Sequence, residues 1–184
     1  METALGSMAA GMERLRRNWY WLVILGIVQL ILGGIGVTAA IYTTVFSVIF
    51  LGWLLLVGGV SAACHAFVQK QWSSFFLDLM TAILYLLVGV MLIENPLRGA
   101  EALTLLMAFF MILGGMFRIV AALAGQPRQW GWVFMSGLIT LVLGVIIWRQ
   151  WPISGLWVIG TFVGVEMIFY GWSLIMLGLA VKSR

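Results

Sequence analysis

The chain has 184 residues, of which 64% are hydrophobic and 9% are charged, and its formal net charge is +4. A soluble domain cannot bury this much apolar surface, so the composition predicts a protein that is surrounded by lipid. The basic residues lie around apolar segments and are interpreted as topology signals, so we expect no nucleic-acid partner. The single cysteine, Cys64, excludes an internal disulfide and a cysteine metal cluster.

Six segments are long and apolar enough to cross a bilayer, which takes about 20 residues each. The predicted spans cover residues 19–40, 45–68, 74–94, 102–124, 131–149 and 154–180. The first apolar run is longer than the core of a signal peptide, which has about 7–15 residues, so we interpret it as a permanent span. Residues 1–18 are expected to form a cytoplasmic N-terminal segment, and residues 19–181 a single transmembrane domain.

Small residues recur at a spacing of 56 residues and divide the spans into three tandem two-helix hairpins, at about residues 19–68, 74–124 and 131–180. The recurring positions are Gly33, Gly89 and, one residue early, Gly144 on the first helix of each hairpin, and Gly52 with Gly59, Ala108 with Gly115, and Gly164 with Gly171 on the second. Repeats with the same membrane orientation are related by an axis along the membrane normal. The sequence therefore predicts an all-α integral membrane protein whose six helices form a pseudo-three-fold bundle.

Glycine in a membrane helix allows neighbouring backbones to approach closely, so that dispersion holds the helices together. This favours a packing role for the recurring glycines over a ligand-binding role. The residues expected to pack helices are Gly33, Gly59, Gly89, Gly115, Gly144, Gly160, Gly164 and Gly171. The last three form a seam of small residues along one side of the sixth span.

Basic residues indicate the orientation, because cytoplasmic loops carry an excess of lysine and arginine. Seven of them fall on one side of the predicted spans, namely Arg14, Arg16, Arg17, Lys70, Arg128, Lys182 and Arg184. Only Arg98 and Arg149 lie in the loops of the other side. The loop of Arg98 also carries Glu94 and Glu101. Both termini are therefore expected to be cytoplasmic.

Asp78 and Arg118 are predicted inside the third and fourth spans, where ionisable groups are costly and are often functional. They lie equally far before and after the turn that joins these spans, so we expect them at one depth. One interpretation is an ion pair that clamps the hairpin. The alternative is that Arg118 extends to the cytoplasmic surface and Asp78 faces water.

Glu166 is predicted near the middle of the sixth span, where hydrocarbon disfavours a charged carboxylate. Tyr170 and Ser173 follow at i+4 and i+7, so the three residues share one stripe of the helix, away from the glycine seam. Gln29 of the first span is expected at a similar depth. The interpretations left open are a buried neutral carboxyl that hydrogen-bonds across helices, a proton-linked role, and contact with a ligand or a second subunit.

Catalytic and metal-binding residues are not indicated by the sequence. The single histidine, His65, has no partner at metal-ligand spacing, and no histidine stands ready to activate a serine or cysteine nucleophile. We therefore predict that the protein is not an enzyme and holds no metal or cofactor.

Three passages carry a distinctive order of glycines and outer turns: LLVGVMLIENPLRGAEALTLLMAFFMILGGMFRI (86–119), GLITLVLGVIIWRQWPISG (137–155) and FVGVEMIFYGWSLI (162–175). In this order the chain resembles the HdeD family of bacterial inner-membrane proteins over about residues 17–181. The first repeat departs from the pattern, because its outer turn, AAIYTTVF, has no proline. The resemblance implies an inner-membrane location and a link to acid resistance, and it supplies no catalytic residues.

Two classes of function remain open on the sequence. The first is a non-enzymatic membrane protein of the acid-stress response with a structural or assembly role. The alternative is a small channel or transporter for protons or solutes along the Glu166 stripe, or an accessory subunit of a larger membrane complex. No proline lies inside a span, whereas transporters commonly have broken helices at midspan, which favours the first class. A homo-oligomer is compatible with either.

Overall fold

The structure, a computed structural model, describes residues 19–68, 72–125 and 129–182. These residues form six long helices, and each is long and apolar enough to cross a membrane. The helices are α1 (Trp19–Thr38), α2 (Ala40–Val68), α3 (Trp72–Glu94), α4 (Pro96–Gly125), α5 (Trp130–Arg149) and α6 (Val158–Lys182), with a short 3-10 helix at Ile153–Leu156. The predicted all-α membrane protein with six spans is confirmed.

The turns that join α1 to α2 and α3 to α4 are tighter than expected from the sequence. Only Asn95 separates α3 from α4, because α4 begins at Pro96, and proline is well suited to the first position of a helix. The first repeat lacks this proline, yet α1 ends at Thr38, whose Oγ1 donates to the carbonyl oxygens of Gly34 and Ile35. A threonine that bonds the preceding turn in this way favours a bend.

The described helices belong to two compact units. One unit comprises Met1–Ala39 and Thr161–Arg184, and so contains α1 and most of α6, while the other comprises Ala40–Gly160. The single domain over residues 19–181 and its pseudo-three-fold axis stay predictions.

In the first unit, α1 and α6 run antiparallel with their backbones in close approach. A Cβ atom placed on Gly33 would lie 2.7 Å from the carbonyl oxygen of Gly164, and one placed on Gly26 would lie 2.7 Å from that of Gly171. At the other end of the pair, the ammonium of Lys182 lies 4.5 Å from the centre of the Trp19 ring. The first and last helices of the chain are therefore direct partners.

In the second unit, the same kind of contact joins α2 to α3 and α4 to α5. A Cβ atom on Gly89 would lie 2.9 Å from the carbonyl oxygen of Gly52, and one on Gly115 would lie 2.8 Å from that of Gly137. These glycine contacts join helices of neighbouring repeats. The hairpins expected from the sequence instead group the two helices of one repeat.

The three helix pairs repeat one another, apart from a shift of one residue at Gly144. Gly33, Gly89 and Gly144 each lie against one large apolar residue of the partner helix, namely Ile168, Leu56 and Ile112. The three apolar partners are spaced by 56 residues. Because equivalent residues make equivalent contacts, the 56-residue period is a period of packing as well as of sequence.

Candidate functional site

The eight glycines that were expected to pack helices are all buried. A Cβ atom on any of them would approach the facing helix to within about 3 Å, a distance at which neighbouring atoms must shift. The tightest case is Gly160, where the added atom would overlap the carbonyl oxygen of Ala40. The separation of the helices therefore favours glycine at these positions, since a larger residue requires atoms of the facing helix to move.

Two other glycines, each next to a closely packed one in the sequence, do not face the partner helix. A Cβ atom on Gly34 or on Gly114 would meet nothing within 4 Å, although each stands next to a glycine in close contact, Gly33 and Gly115. These neighbours supply matched controls for the packing role.

Polar contacts gather where α2, α4 and the start of α6 meet in the second unit. Oγ1 of Thr44 accepts a hydrogen bond of 2.8 Å from the backbone N–H of Gly160. Gly160 is the third residue of α6, so its N–H is one of the four at the helix start that have no acceptor within the helix. A threonine of α2 thus caps α6 from a distance of 116 residues along the chain.

Two further polar residues are fully buried in this region. Ser154 of the 3-10 helix donates from Oγ to the carbonyl oxygen of Ile147, at 2.9 Å, and so joins the turn between α5 and α6 to the end of α5. Thr104 of α4 is also 0% exposed, and its Oγ1 has no hydrogen-bond partner among the described residues. Burying a hydroxyl without a hydrogen bond costs free energy, so the hydroxyl of Thr104 does not add to the stability of the fold.

Arg118 bonds α5 and not α3. Its Nη1 donates to Oγ1 of Thr140 at 3.3 Å, across the close pair of α4 and α5. Within the described residues no ion pair joins Arg118 to Asp78, and of the two interpretations left open this arrangement favours the one without a clamp. The cause is the pairing of the helices, because α3 packs closely on α2 while α4 packs closely on α5.

Glu166, Tyr170 and Ser173 lie on an exposed face of α6. Glu166 is exposed in the single chain because it lies about 200° around the helix from Gly164, which contacts α1. The three interpretations left open for Glu166 stay predictions. Gln29 of α1 is half-buried, and the structure shows no hydrogen bond from it to Glu166. The two residues are close in depth, since Gly26 faces Gly171 and Gly33 faces Gly164, but they lie on different faces.

The described residues contain no group of three or more His, Cys, Asp or Glu side chains that could hold a metal ion. Cys64 and His65 are both exposed near the end of α2. Of the basic residues that indicated the orientation, Arg14, Arg16, Arg17, Lys70, Arg128 and Arg184 lie outside the described residues.

One surface groove of the second unit is apolar and lies along α4 and α5. It has a volume of about 700 Å³ and is lined by Ala102, Leu105, Leu106, Phe109, Ile112 and Trp148. A lining of this kind suits lipid acyl chains and provides no polar group to orient a substrate.

Four polar residues of this region were not indicated by the sequence, namely Thr44, Thr104, Thr140 and Ser154. Threonine and serine are common in membrane helices and bond their own helix as often as a neighbour, so a single sequence carries no signal that separates the two cases. In the 56-residue period, Thr104 is equivalent to Val48 and Gly160. Both of these residues are buried, so the period marks Thr104 as a buried position.

Comparison with known proteins gives matches to one family. The family described as "Short repeat of unknown function (DUF308)" matches residues 24–94 and again residues 80–149. The two matches start 56 residues apart, which is the spacing of the glycines and of the helix contacts.

Relatives named Protein HdeD, from Escherichia coli strains K12 and O157:H7 and from Shigella flexneri, are 24% identical to the chain over 127 residues. The aligned part covers 67% of this chain and 67% of each relative. No solved structure matches the chain at a significant level. The resemblance to the HdeD family is confirmed by these matches.

Proposed function

Because the chain belongs to the family of short membrane repeats (DUF308), with HdeD proteins among its relatives, we propose that it is a non-enzymatic protein of the bacterial inner membrane with a structural or assembly role in the acid-stress response. The link to acid stress comes from the resemblance to the HdeD family. The structural role is supported by this chain's own packing.

The observation that carries the structural role is the close approach of backbones in all three helix pairs. Gly33 meets the carbonyl of Gly164, Gly89 meets that of Gly52, and Gly115 meets that of Gly137. Helices that touch through their backbones leave no room between them for water or a solute, and rigid pairs of this kind suit a scaffold.

The proposed role is tested by acid survival of a bacterial strain that lacks the protein and is complemented with variants. Gly115→Leu should abolish protection, because the larger side chain cannot fit against Gly137 and Leu141. Gly114→Leu is the matched control and should protect as well as the wild type, since that position faces open space. Equal membrane levels of the variants are checked first. Survival that does not depend on the protein at all would refute the acid-stress role.

A channel for protons or solutes along the Glu166 stripe is separated from the structural role by proton flux. Purified wild type and Glu166→Gln are reconstituted into liposomes, and a pH gradient is imposed. The proposed structural role predicts no flux above that of empty liposomes for either protein. Flux through the wild type that is lost in Glu166→Gln would replace the structural role with a proton pathway that uses this residue.

A further inference from the structure

The polar stripe of α6, formed by Glu166, Tyr170 and Ser173, has no hydrogen-bond partner among the residues that the structure describes. All three residues are exposed, and the Tyr170 side chain is 59% exposed. The opposite side of α6 is occupied, because Gly164 and Gly171 contact α1 there. The stripe is therefore an outward face of the helix pair formed by α1 and α6.

The other two repeats show what this outward position ordinarily holds. Glu166 is equivalent to Leu54 in the first repeat and to Phe110 in the second, at displacements of 112 and 56 residues. Leu54 is 53% exposed and Phe110 is 62% exposed, as expected of apolar residues that face lipid. Only the third repeat places a carboxyl group at this position, so its outer face differs in chemistry from the two otherwise similar faces.

A carboxyl group at this depth needs a hydrogen-bonding partner. Glu166 lies eight residues into α6, about 12 Å along the helix from its start, within the hydrocarbon layer. A polar group that is exposed to hydrocarbon without a partner is costly, and a charged one more so. Within the described residues, none makes a hydrogen bond to the Glu166 carboxyl.

We infer that the polar stripe of α6 is the contact surface for a second copy of this chain. Copies of a membrane protein insert in the same orientation, so a two-fold axis between them runs along the membrane normal and brings identical residues together at one depth. A neutral carboxyl group is both donor and acceptor, as are the hydroxyls of Tyr170 and Ser173, so each group is complementary to its own copy.

The two ends of the stripe are apolar, which suits an interface with a small polar centre. Phe162 precedes Glu166 by one turn and is 42% exposed, and Leu177 follows Ser173 by one turn and is 52% exposed. In the dimer these side chains pack around the hydrogen-bonded groups and shield them from lipid. The dimer depends on α6 alone and is independent of the acid-stress role.

Cysteine cross-linking locates the contact surface. Ser173 and Ser61 are equivalent exposed serines of the third and first repeats, so Ser173→Cys and Ser61→Cys, each in a Cys64→Ser background, form a matched pair. In native membranes Ser173→Cys should give a covalent dimer on mild oxidation, and Ser61→Cys should remain monomeric. Dimers from Ser61→Cys alone, or from neither variant, would overturn the inference.

The contribution of Glu166 is measured from the dimer fraction of labelled protein in liposomes across a range of dilution in lipid. Glu166→Gln keeps a donor and an acceptor and should stay within about threefold of the wild-type dissociation constant, whereas Glu166→Leu should weaken the dimer about tenfold. Phe110→Leu, at the equivalent position of the second repeat, should change nothing. A wild type that is monomeric at all dilutions, or a Leu variant that dimerises as tightly as wild type, would overturn the inference.

Discussion

Thr44 and Gly160 are joined by a buried hydrogen bond of 2.8 Å that links the start of α2 to the start of α6. Thr44 is 0% exposed, and the bond satisfies a backbone N–H that the helix itself leaves without an acceptor. It is the contact of longest sequence separation among the hydrogen bonds described above. Two fully buried threonines of the same unit, Thr44 and Thr104, therefore differ in one respect: the first has a partner and the second has none.

This difference predicts opposite results for the same isosteric substitution. Thr44→Val removes the acceptor and leaves the Gly160 N–H buried and unpaired, which should lower the free energy of unfolding by about 1–3 kcal/mol. Thr104→Val removes a hydroxyl that has no partner and should leave stability unchanged or raise it by up to about 1 kcal/mol. Thermal or denaturant unfolding of the purified variants in detergent measures both. Equal destabilisation by the two substitutions would contradict the assignment of the bond.

The close approach of α1 and α6 predicts that neighbouring glycines differ sharply in their tolerance of a methyl group. Gly33→Ala places a Cβ atom 2.7 Å from the carbonyl oxygen of Gly164 and should cost about 1–3 kcal/mol of stability, as overpacking does. Gly34→Ala meets open space and should be neutral or slightly stabilising, because alanine is the better helix former. Unfolding of the two variants under identical conditions is the measurement. Similar effects at both positions would show that helix propensity, and not contact, governs them.

The bond from Arg118 to Thr140 predicts a coupling between these residues that Asp78 does not share. In a double-mutant cycle, Arg118→Gln and Thr140→Val should be non-additive by about 0.5–1 kcal/mol, a modest value because the pair is exposed. Asp78→Asn combined with Arg118→Gln should be additive within error. A coupling between Asp78 and Arg118 that exceeds the one between Arg118 and Thr140 would restore the ion pair expected from the sequence.

Much of the fold was predictable because membrane helices can be recognised in a sequence by their length and apolar composition. The six spans and the 56-residue period followed from the apolar runs and from recurring positions such as Gly33 and Gly89. The partner of each helix was not predictable. In a repeated chain, a small-residue face fits the helix of its own repeat and the equivalent helix of the next repeat equally well, so sequence alone does not choose between them.

The direction that Glu166 faces was not predictable for a related physical reason. The helical period correctly separated Glu166 from the seam of Gly164 and Gly171, but it gave no sign of which face was inward. Lipid tails are as apolar as a protein core, so hydrophobicity does not distinguish the inside of a membrane bundle from its outside. A contact between Asp78 and Arg118 could not be decided from the sequence for a related reason, since equal depth does not establish that two helices are in contact.

The contact between α1 and α6 supplies the third of three equivalent helix pairs. A Cβ atom on Gly178 would lie 3.3 Å from Cβ of Leu22, close to the separation that a disulfide requires. The most direct test is therefore disulfide formation in Leu22→Cys/Gly178→Cys, in a Cys64→Ser background. The control is Gly34→Cys/Gly178→Cys in the same background, which carries the same number of cysteines. We expect rapid intramolecular disulfide formation in the first variant and none in the control. A reduced thiol pair in the first variant after mild oxidation of folded protein would contradict it.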